Sequence, residues 1–274
     1  MSNPPLLTDR MALLRNRRRA TALFLQDEAI LDVKERLIEV NRSFTKPVIV
    51  AGFPAVWQAA FPEARVVEDT DTLDLAPESH DLVIHAMGLH WANDPVGQLV
   101  QCHRALEPDG LFLGVFFGGQ TLRELRTALA EAETETTGGL SPRVAPMGEI
   151  RDLGALLQRA GFALPVADSL GRDVSYRDIF HLMRDVRAMG EGNALEMRRR
   201  QPTPRRLFQR AGEIYTANFA TPDNRITATF ELMYLTGWSP SATQPQPLRP
   251  GSAANRLAEA LGTKETPLRD RSDD

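Results

Sequence analysis

Short apolar runs alternate with amphipathic segments along most of the chain. Apolar residues recur at helical spacing in 95–106 and 148–160, which predicts helices there. Four apolar, often β-branched runs have the length of buried strands, at 47–52, 65–68, 81–85 and 111–117. Strands that alternate with helices predict an α/β domain with a central, mostly parallel sheet flanked by helices.

Helical patterns extend beyond this region on both sides. Residues 9–40 are predicted to form one helix with a basic first half, so we expect 1–45 to be a helical N-terminal extension. The main domain is then 46–240, with a helical insertion at about 175–220. The remainder, 241–274, is rich in Pro, Gln and Ser before it becomes charged, which predicts a partly disordered tail.

Local signals mark several helix ends. The sequence Thr121-Leu122-Arg123-Glu124 has the pattern of a capping box that opens a helix. Gly161 is placed to end the helix over 148–160, and Asp94 is placed to cap the helix that follows it. These assignments are structural rather than catalytic.

Charge and cysteine content exclude several classes of function. The net charge of -4 and the pI of about 5.8 argue against general nucleic-acid binding. Two arginine clusters, within 10–19 and 198–206, could hold an anionic partner or a lipid surface, and a solvated face is the alternative. The single cysteine, Cys102, excludes an internal disulfide and indicates a buried thiol in a reducing compartment. No run approaches the roughly 18 apolar residues of a membrane span, so a cytoplasmic location is expected.

The sheet topology directs attention to the carboxyl ends of its strands, because ligands of open α/β sheets bind there. Gly52 follows the first strand and the acidic stretch 68–74 follows the second. His85 ends the third strand, and 88–91 forms the loop beyond it. We therefore predict a cleft bordered by these four elements.

Two segments resemble a known superfamily. Residues 81–94 contain Asp-Leu-Val, Leu-His-Trp and Asn-Asp, and residues 104–112 contain Leu-Glu-Pro-Asp-Gly. This combination is similar to the centre of class I S-adenosylmethionine-dependent methyltransferases. The resemblance implies their Rossmann-like methyltransferase fold and S-adenosylmethionine as the cofactor.

Further segments narrow the resemblance, namely the basic start at 9–19 together with 117–126, 138–143, 152–162, 189–193 and 236–238. Together they resemble the family of mitochondrial respiratory complex I assembly factor 5 and its bacterial relatives. The malonyl-carrier-protein O-methyltransferase of biotin synthesis is a more distant relative. The resemblance implies action on a protein substrate, with a complex I subunit as the candidate partner. Peripheral membrane contact is compatible with the basic N-terminus.

The cofactor loop departs from the family pattern. The family has a Gly-x-Gly-type loop after the first strand, because side chains there would clash with the cofactor. Here only Gly52 remains, and Phe53 and Pro54 follow it. Proline also lacks an N–H that could bind a ligand. The departure predicts that cofactor binding is weak or lost.

The segment between Gly52 and Asp81 is short for this fold, and two alignments fit it. Residues 65–68 are either the second strand, with Glu68 or Asp69 as the acid that binds the ribose, or the third. As the third strand they place Asp69 or Asp71 beside the adenine, and the spacing from 72 to 81 favours this alignment.

The resemblance supplies candidate site residues. Gly52, Asp69, Asp71 and His85 are the candidates for cofactor contacts, and His90 and Trp91 are the candidates for catalysis. A satisfied strand-end histidine is the alternative for His85. Two functions remain open: a methyltransferase-family enzyme that acts on a protein, or a non-catalytic binding and assembly factor that kept the fold.

Overall fold

The computed structural model describes residues 6–244 and 262–263. The chain divides into two units, Met1–Ser241 and Ala242–Asp274, and every element named here belongs to the first. The helices are α1 (Arg10–Arg17), α2 (Phe24–Val40), α3 (Pro54–Ala60), α4 (Pro95–Ala105), α5 (Arg123–Thr137), α6 (Ile150–Ala160), α7 (Ile179–Ala188) and α8 (Arg205–Phe219). The strands are β1 (Pro47–Ala51), β2 (Arg65–Glu68), β3 (His80–Ala86), β4 (Leu106–Phe117), β5 (Ala163–Tyr176) and β6 (Ile226–Trp238), with a short 3-10 helix at Leu89–Trp91.

The strands form one six-stranded sheet in the order β2-β1-β3-β4-β6-β5. The first four strands in this order are parallel, and β6 runs antiparallel to both β4 and β5. Helices cover both faces: α2, α3, α5, α7 and α8 pack on one, and α4 and α6 pack on the other. The predicted Rossmann-like methyltransferase fold is therefore confirmed.

The position of β2 corrects the alignment favoured from the sequence. Val48 of β1 lies beside Arg65 of β2, and Ala51 lies beside Glu68. A third strand of the family's sheet would pair with the second strand rather than with β1. The interpretation of 65–68 as the third strand is therefore wrong, and β2 takes the position of the second strand.

The N-terminal helix is interrupted, contrary to the prediction of one helix over 9–40. Arg17 ends α1 and Phe24 begins α2. Between them, the backbone N–H groups of Thr21 and Ala22 donate hydrogen bonds to the carbonyl of Ala188 at the end of α7. These bonds to another element replace the bonds that a continuous helix would make.

The predicted capping box at 121–124 is also wrong. The Thr121 hydroxyl donates to the carbonyl of Gly118, and α5 begins at Arg123 without a side-chain cap. The Glu124 carboxylate accepts hydrogen bonds from the backbone and hydroxyl of Thr229 instead. The two residues therefore fasten the start of α5 to β6.

Other boundaries agree or shift by a few residues. Asp94 caps α4 through the N–H of Gly97, and Gly161 ends α6 with φ of 96°, both as predicted. β4 begins at Leu106, before the predicted turn at 108–110, and Asp109 has φ of 65° there. The insertion between β5 and β6 contains α7 and α8, while most of the predicted tail, 241–274, lies outside the described residues.

Candidate active site

The carboxyl ends of β1, β2 and β3 meet at one edge of the sheet. Ala51 lies beside Glu68 on one side and beside Ala86 on the other. Gly52, Asp69 and the turn at Gly88 follow these strand ends directly. The elements that were expected to border a cleft are thus neighbours in the fold.

Arg17 fills the space over Gly52. Its side chain extends from α1 and is only 4% exposed. A Cβ atom built on Gly52 would lie 2.3–2.6 Å from three atoms of the guanidinium group. A Cβ atom built on Gly190 would lie 3.2 Å from the Arg17 Cα atom, and the Phe53 ring centroid is 5.9 Å from the Arg17 Cζ atom. The guanidinium therefore lies packed within the loops at the carboxyl edge.

Asp69 is the partner of this arginine. Arg17 Nη1 donates to Asp69 Oδ1 at 2.8 Å, and Arg10 Nη2 donates to the same oxygen at 3.3 Å. Burial alone would raise the pKa of Asp69, but the Arg17 and Arg10 charges and the Arg17 hydrogen bond lower it below 3.8. Asp69 Oδ2 lies 2.6 Å from where a Cβ on Gly88 would be, so Gly88 permits this close approach.

His85 lies buried behind this ion pair. Its Nε2 donates to the side-chain oxygen of Gln98 at 2.6 Å, and Gln98 donates to the carbonyl of Thr70 at 3.1 Å. Burial lowers the pKa of His85 below 6.5, although the Gln98 hydrogen bond acts in the opposite direction. The other ring nitrogen, Nδ1, is buried and has no hydrogen-bond partner among the described residues, so only one side of the ring is satisfied.

His90 and Trp91 share one carboxylate. Trp91 Nε1 donates to Glu191 Oε2 at 2.6 Å, and His90 Nε2 donates to the same oxygen at 3.1 Å. Burial alone would raise the pKa of Glu191, but His90, the Arg17 charge and the Trp91 hydrogen bond together lower it below 4.5. Glu191 Oε1 is buried and has no hydrogen-bond partner among the described residues.

Two neighbouring cavities lie beside this cluster. The inner cavity has a volume of about 70 Å³, and Trp91, Phe117 and Glu191 are among its lining residues. The outer groove has a volume of about 420 Å³ and lies between α5, α7 and α8. The residues that line both are Leu125, Arg143, Val186 and Asn193. A chain segment bound in the groove would therefore lie next to the inner cavity.

The predicted site residues form two adjoining groups, and the Arg17 charge acts on both. Gly52, Asp69 and His85 gather around Arg17, whereas His90 and Trp91 gather around Glu191. Asp71 is exposed and contributes only its carbonyl, which accepts from Gln101. Arg17 and Glu191 were not among the predicted site residues. Both lie in segments that carried the resemblance, but arginine and glutamate are ordinarily surface residues.

Other chemistry finds little support in the described part of the chain. Cys102 is fully buried, and burial raises the pKa of its thiol, which disfavours a reactive thiolate. No group of histidine, cysteine, aspartate and glutamate side chains among the described residues could hold a metal ion. Within those same residues, we find no helix with the length and apolar character that crossing a bilayer requires.

Comparison with known proteins identifies the domain. Residues 28–114 match the family model described as a methyltransferase domain. The chain therefore carries a methyltransferase domain, and the resemblance to class I S-adenosylmethionine-dependent methyltransferases is confirmed.

Particular relatives agree with the narrower resemblance. The arginine-hydroxylase NDUFAF5 of mitochondria is 41% identical over 68% of this chain in Dictyostelium discoideum and 37% identical over 74% in Homo sapiens. A malonyl-[acyl-carrier protein] O-methyltransferase of Laribacter hongkongensis is 36% identical over 65% of this chain. The chain spans 43%, 58% and 58% of the length of these three relatives, respectively.

The cofactor implied by this family does not fit the residues as they are arranged. The close approach that Gly52 allows is taken by the Arg17 guanidinium. Asp69, the acid at the end of the second strand, already accepts from Arg17 and Arg10. A ribose hydroxyl and the Arg17 guanidinium would compete for the same carboxylate.

Proposed function

We propose that this chain is a methyltransferase-fold protein that binds a protein partner without using S-adenosylmethionine in the pocket at Gly52. The observation that carries the proposal is the position of Arg17, whose guanidinium lies against Gly52 and on Asp69. Arg17 is 4% exposed and ion-paired, and its departure would leave the buried Asp69 with only the longer contact to Arg10. Arg17 therefore competes with the cofactor for the space over Gly52 and for Asp69 Oδ1.

The partner we propose is a subunit or an assembly intermediate of respiratory complex I. The similarity to the mitochondrial arginine-hydroxylases supports this partner, because the resemblance covers segments far beyond the cofactor half of the chain. A segment of the partner would lie in the groove between α5, α7 and α8. An arginine side chain reaching the inner cavity would supply hydrogen-bond donors to the unpartnered Glu191 Oε1.

A second function is an S-adenosylmethionine-dependent transferase that acts on a protein. The observation that favours it is the convergence of Gly52, Asp69 and Gly88 at the carboxyl edge, where this fold binds its ligands. It requires α1 to withdraw Arg17 before the cofactor enters.

Calorimetric titration with S-adenosylmethionine and its demethylated product separates the two functions. We expect dissociation constants in the high micromolar range or weaker for the unaltered chain. An intact cofactor site would bind in the low micromolar range, and a dissociation constant of about 1 μM corresponds to a binding free energy of about −8 kcal/mol. Arg17→Ala should strengthen binding by about tenfold, because it empties the space over Gly52 and frees Asp69. Arg15→Ala, an exposed neighbour on α1, is the matched control and should change nothing. Low-micromolar binding by the unaltered chain would exclude the first function.

The partner is tested by genetic complementation. Deleting the gene should impair complex I activity, and the unaltered chain should restore it. Phe180→Asp should fail to restore activity, because Phe180 lines the groove and is 42% exposed. Leu164→Asp is the control: Leu164 is 48% exposed and lies on β5, away from the groove. Normal complex I activity after deletion would count against this partner.

A further inference from the structure

The groove between α5, α7 and α8 has largely apolar walls. Its apolar lining residues are Leu125, Leu129, Phe180, Met183, Val186 and Phe208. Phe180 is 42% exposed, although phenylalanine is among the residue types most often buried. An aromatic side chain exposed in an apolar groove is typical of a binding surface.

The charged residues that line this groove are both arginines, and no acid is among the described residues that line it. Arg143 is already paired, because its Nη2 donates to Glu133 Oε1 at 2.8 Å. Arg187 is exposed, and its Nε donates to the carbonyl of Met183 at 3.0 Å. No ion pair joins Arg187 to an acid in the described part of the chain. Arg187 therefore gives the groove a positive charge that the described residues do not balance.

The acids on α7 and directly after it are engaged by other groups. Asp178 caps the first turn of α7, and Asp185 accepts a hydrogen bond from the Tyr176 hydroxyl at 2.8 Å. Glu191 is buried and holds the two donors described above. A cation at the C-terminal end of α7 interacts favourably with the helix dipole, so Arg187 is stabilised there without an acid of its own.

Arg187 lies near the buried carboxylate of the inner cavity. A Cβ atom built on Gly192 would lie 3.7 Å from Arg187 Cγ, and Gly192 directly follows Glu191. Asn16 donates to the carbonyl of Gly192 at 2.9 Å and holds this segment in place. An extended chain rises about 3.3 Å per residue, so side chains a few residues apart in one bound segment would reach both groups.

We propose that the groove binds an apolar partner segment that carries an aspartate or a glutamate, and that Arg187 pairs with this acid. The inference rests on the proposed function, because it names the chemistry of the segment that the groove would bind. A guanidinium and a carboxylate form paired hydrogen bonds, and apolar walls strengthen them by excluding water. A segment with a basic residue at the same place would be repelled, so Arg187 determines specificity.

Selection from a peptide library tests the proposal. Random peptides of about twelve residues are displayed on phage and captured on the immobilised full chain. The captured peptides should be enriched in aspartate and glutamate, whereas Arg187→Glu should capture peptides enriched in lysine and arginine. Arg184→Glu is the matched control, because Arg184 is exposed on the same helix and does not line the groove. It should capture acidic peptides as the unaltered chain does.

A charge swap separates pairing from a structural role of Arg187. Fluorescence anisotropy is measured with one captured peptide and with its variant in which lysine replaces the acid. Either the lysine peptide or Arg187→Glu alone should weaken binding about tenfold, because like charges or an unpaired acid then meet at the groove. The two changes together should restore most of the affinity. Damage to α7 would not be rescued in this way, and circular dichroism checks that each variant is folded.

The outcomes distinguish a failure of this inference from a failure of the proposed function. If the captured peptides show no acidic enrichment but Phe180→Asp abolishes capture, the groove binds a segment and only the role of Arg187 is wrong. If no peptide is captured, or if capture ignores Phe180→Asp, the groove takes no segment and both proposals fail. A dimer in sedimentation experiments that Phe180→Asp dissociates would assign the groove to a second copy of the chain and would also overturn the inference.

Discussion

Arg17 and Gly52 touch across the carboxyl edge of the sheet, so closely that a Cβ on Gly52 would lie 2.3 Å from the Arg17 Cζ atom. Gly52 does not have a positive φ, so glycine is not required here by the backbone conformation. It is required because a side chain would occupy the space of the Arg17 guanidinium. In the family, glycines at this position admit the cofactor; here the same opening admits an arginine of the chain itself. The ion pair of Arg17 with Asp69 then fixes the arginine in place.

Gly52→Ala should destabilise the fold by about 1–3 kcal/mol, because the new methyl group must displace the buried guanidinium. The effect should largely disappear in a background that carries Arg17→Ala and Asp69→Asn, where no charge remains buried at this point. The coupling is measured by urea unfolding of four proteins: the unaltered chain, Gly52→Ala, Arg17→Ala/Asp69→Asn and the variant that combines all three substitutions. Gly171→Ala is the control, because nothing lies within 4 Å of a Cβ at Gly171. If Gly52→Ala lowers the free energy of unfolding equally in both backgrounds, the Arg17 guanidinium does not lie against Gly52.

Arg17→Met should cost about 3–5 kcal/mol at neutral pH, because it leaves Asp69 buried with only the longer contact to Arg10. The pH dependence should also change sign. In the unaltered chain the pKa of Asp69 is lowered, so its contribution is present above pH 3.8 and is lost as the pH falls through the lowered pKa. In the variant, burial raises this pKa, so stability should decline as the pH rises from 3.8 to the raised pKa and level off above it. The measurement is the free energy of unfolding of the unaltered chain and of Arg17→Met between pH 4 and 8. If both depend on pH in the same way, Arg17 does not stabilise the ionised form of Asp69.

The features of this site that could be predicted from the sequence are those that depend on neighbouring residues, and the features that could not be predicted depend on residues far apart in the chain. The strands and most helices have local apolar patterns, and Gly52 could be predicted as a site residue because it follows a buried strand. The pairing of β2 with β1 is a long-range contact, and spacing alone favoured the wrong alignment. Arg17 gave no local signal, because its burial depends on α1 packing over the end of β1, and a lone arginine is ordinarily exposed. Glu191 lay in a segment that carried the resemblance, but only the fold brings it to His90 and Trp91.

His85 should make stability fall as the pH drops below 6.5. Its pKa is lowered in the folded chain, so below 6.5 the unfolded chain binds a proton that the folded chain does not. Full titration of one such group changes the free energy of unfolding by about 1.4 kcal/mol per pH unit. His80 and His103 also have lowered pKa values and add to the slope. His85→Gln should make the slope below pH 6.5 shallower; an unchanged slope would mean that His85 is already protonated in the folded chain.

Glu133 should control the loop that walls the inner cavity. Its carboxylate accepts hydrogen bonds from the guanidinium of Arg143 and from the backbone and hydroxyl of Ser141. These interactions lower the pKa of Glu133 to about 2, so their contribution is present above pH 4.5 and is lost as the pH falls towards 2. Glu133→Gln should destabilise the fold by about 2 kcal/mol at pH 7, since it removes a charge-assisted pair whose other member stays largely buried.

Hydrogen exchange locates the effect of Glu133→Gln. Amides in 138–147 should exchange at least tenfold faster in the variant, because the loop loses its anchor to α5, while amides of β4 and β6 should keep their rates. Glu135→Gln is the matched control: Glu135 lies on the same helix and pairs with Arg210 in solvent, so no measurable change is expected. Since Arg143 lines both cavities, the loosened loop should also weaken partner binding in the groove between α5, α7 and α8. Faster exchange spread evenly over the domain would instead mean that Glu133 supports the whole fold and has no separate role in the cavity wall.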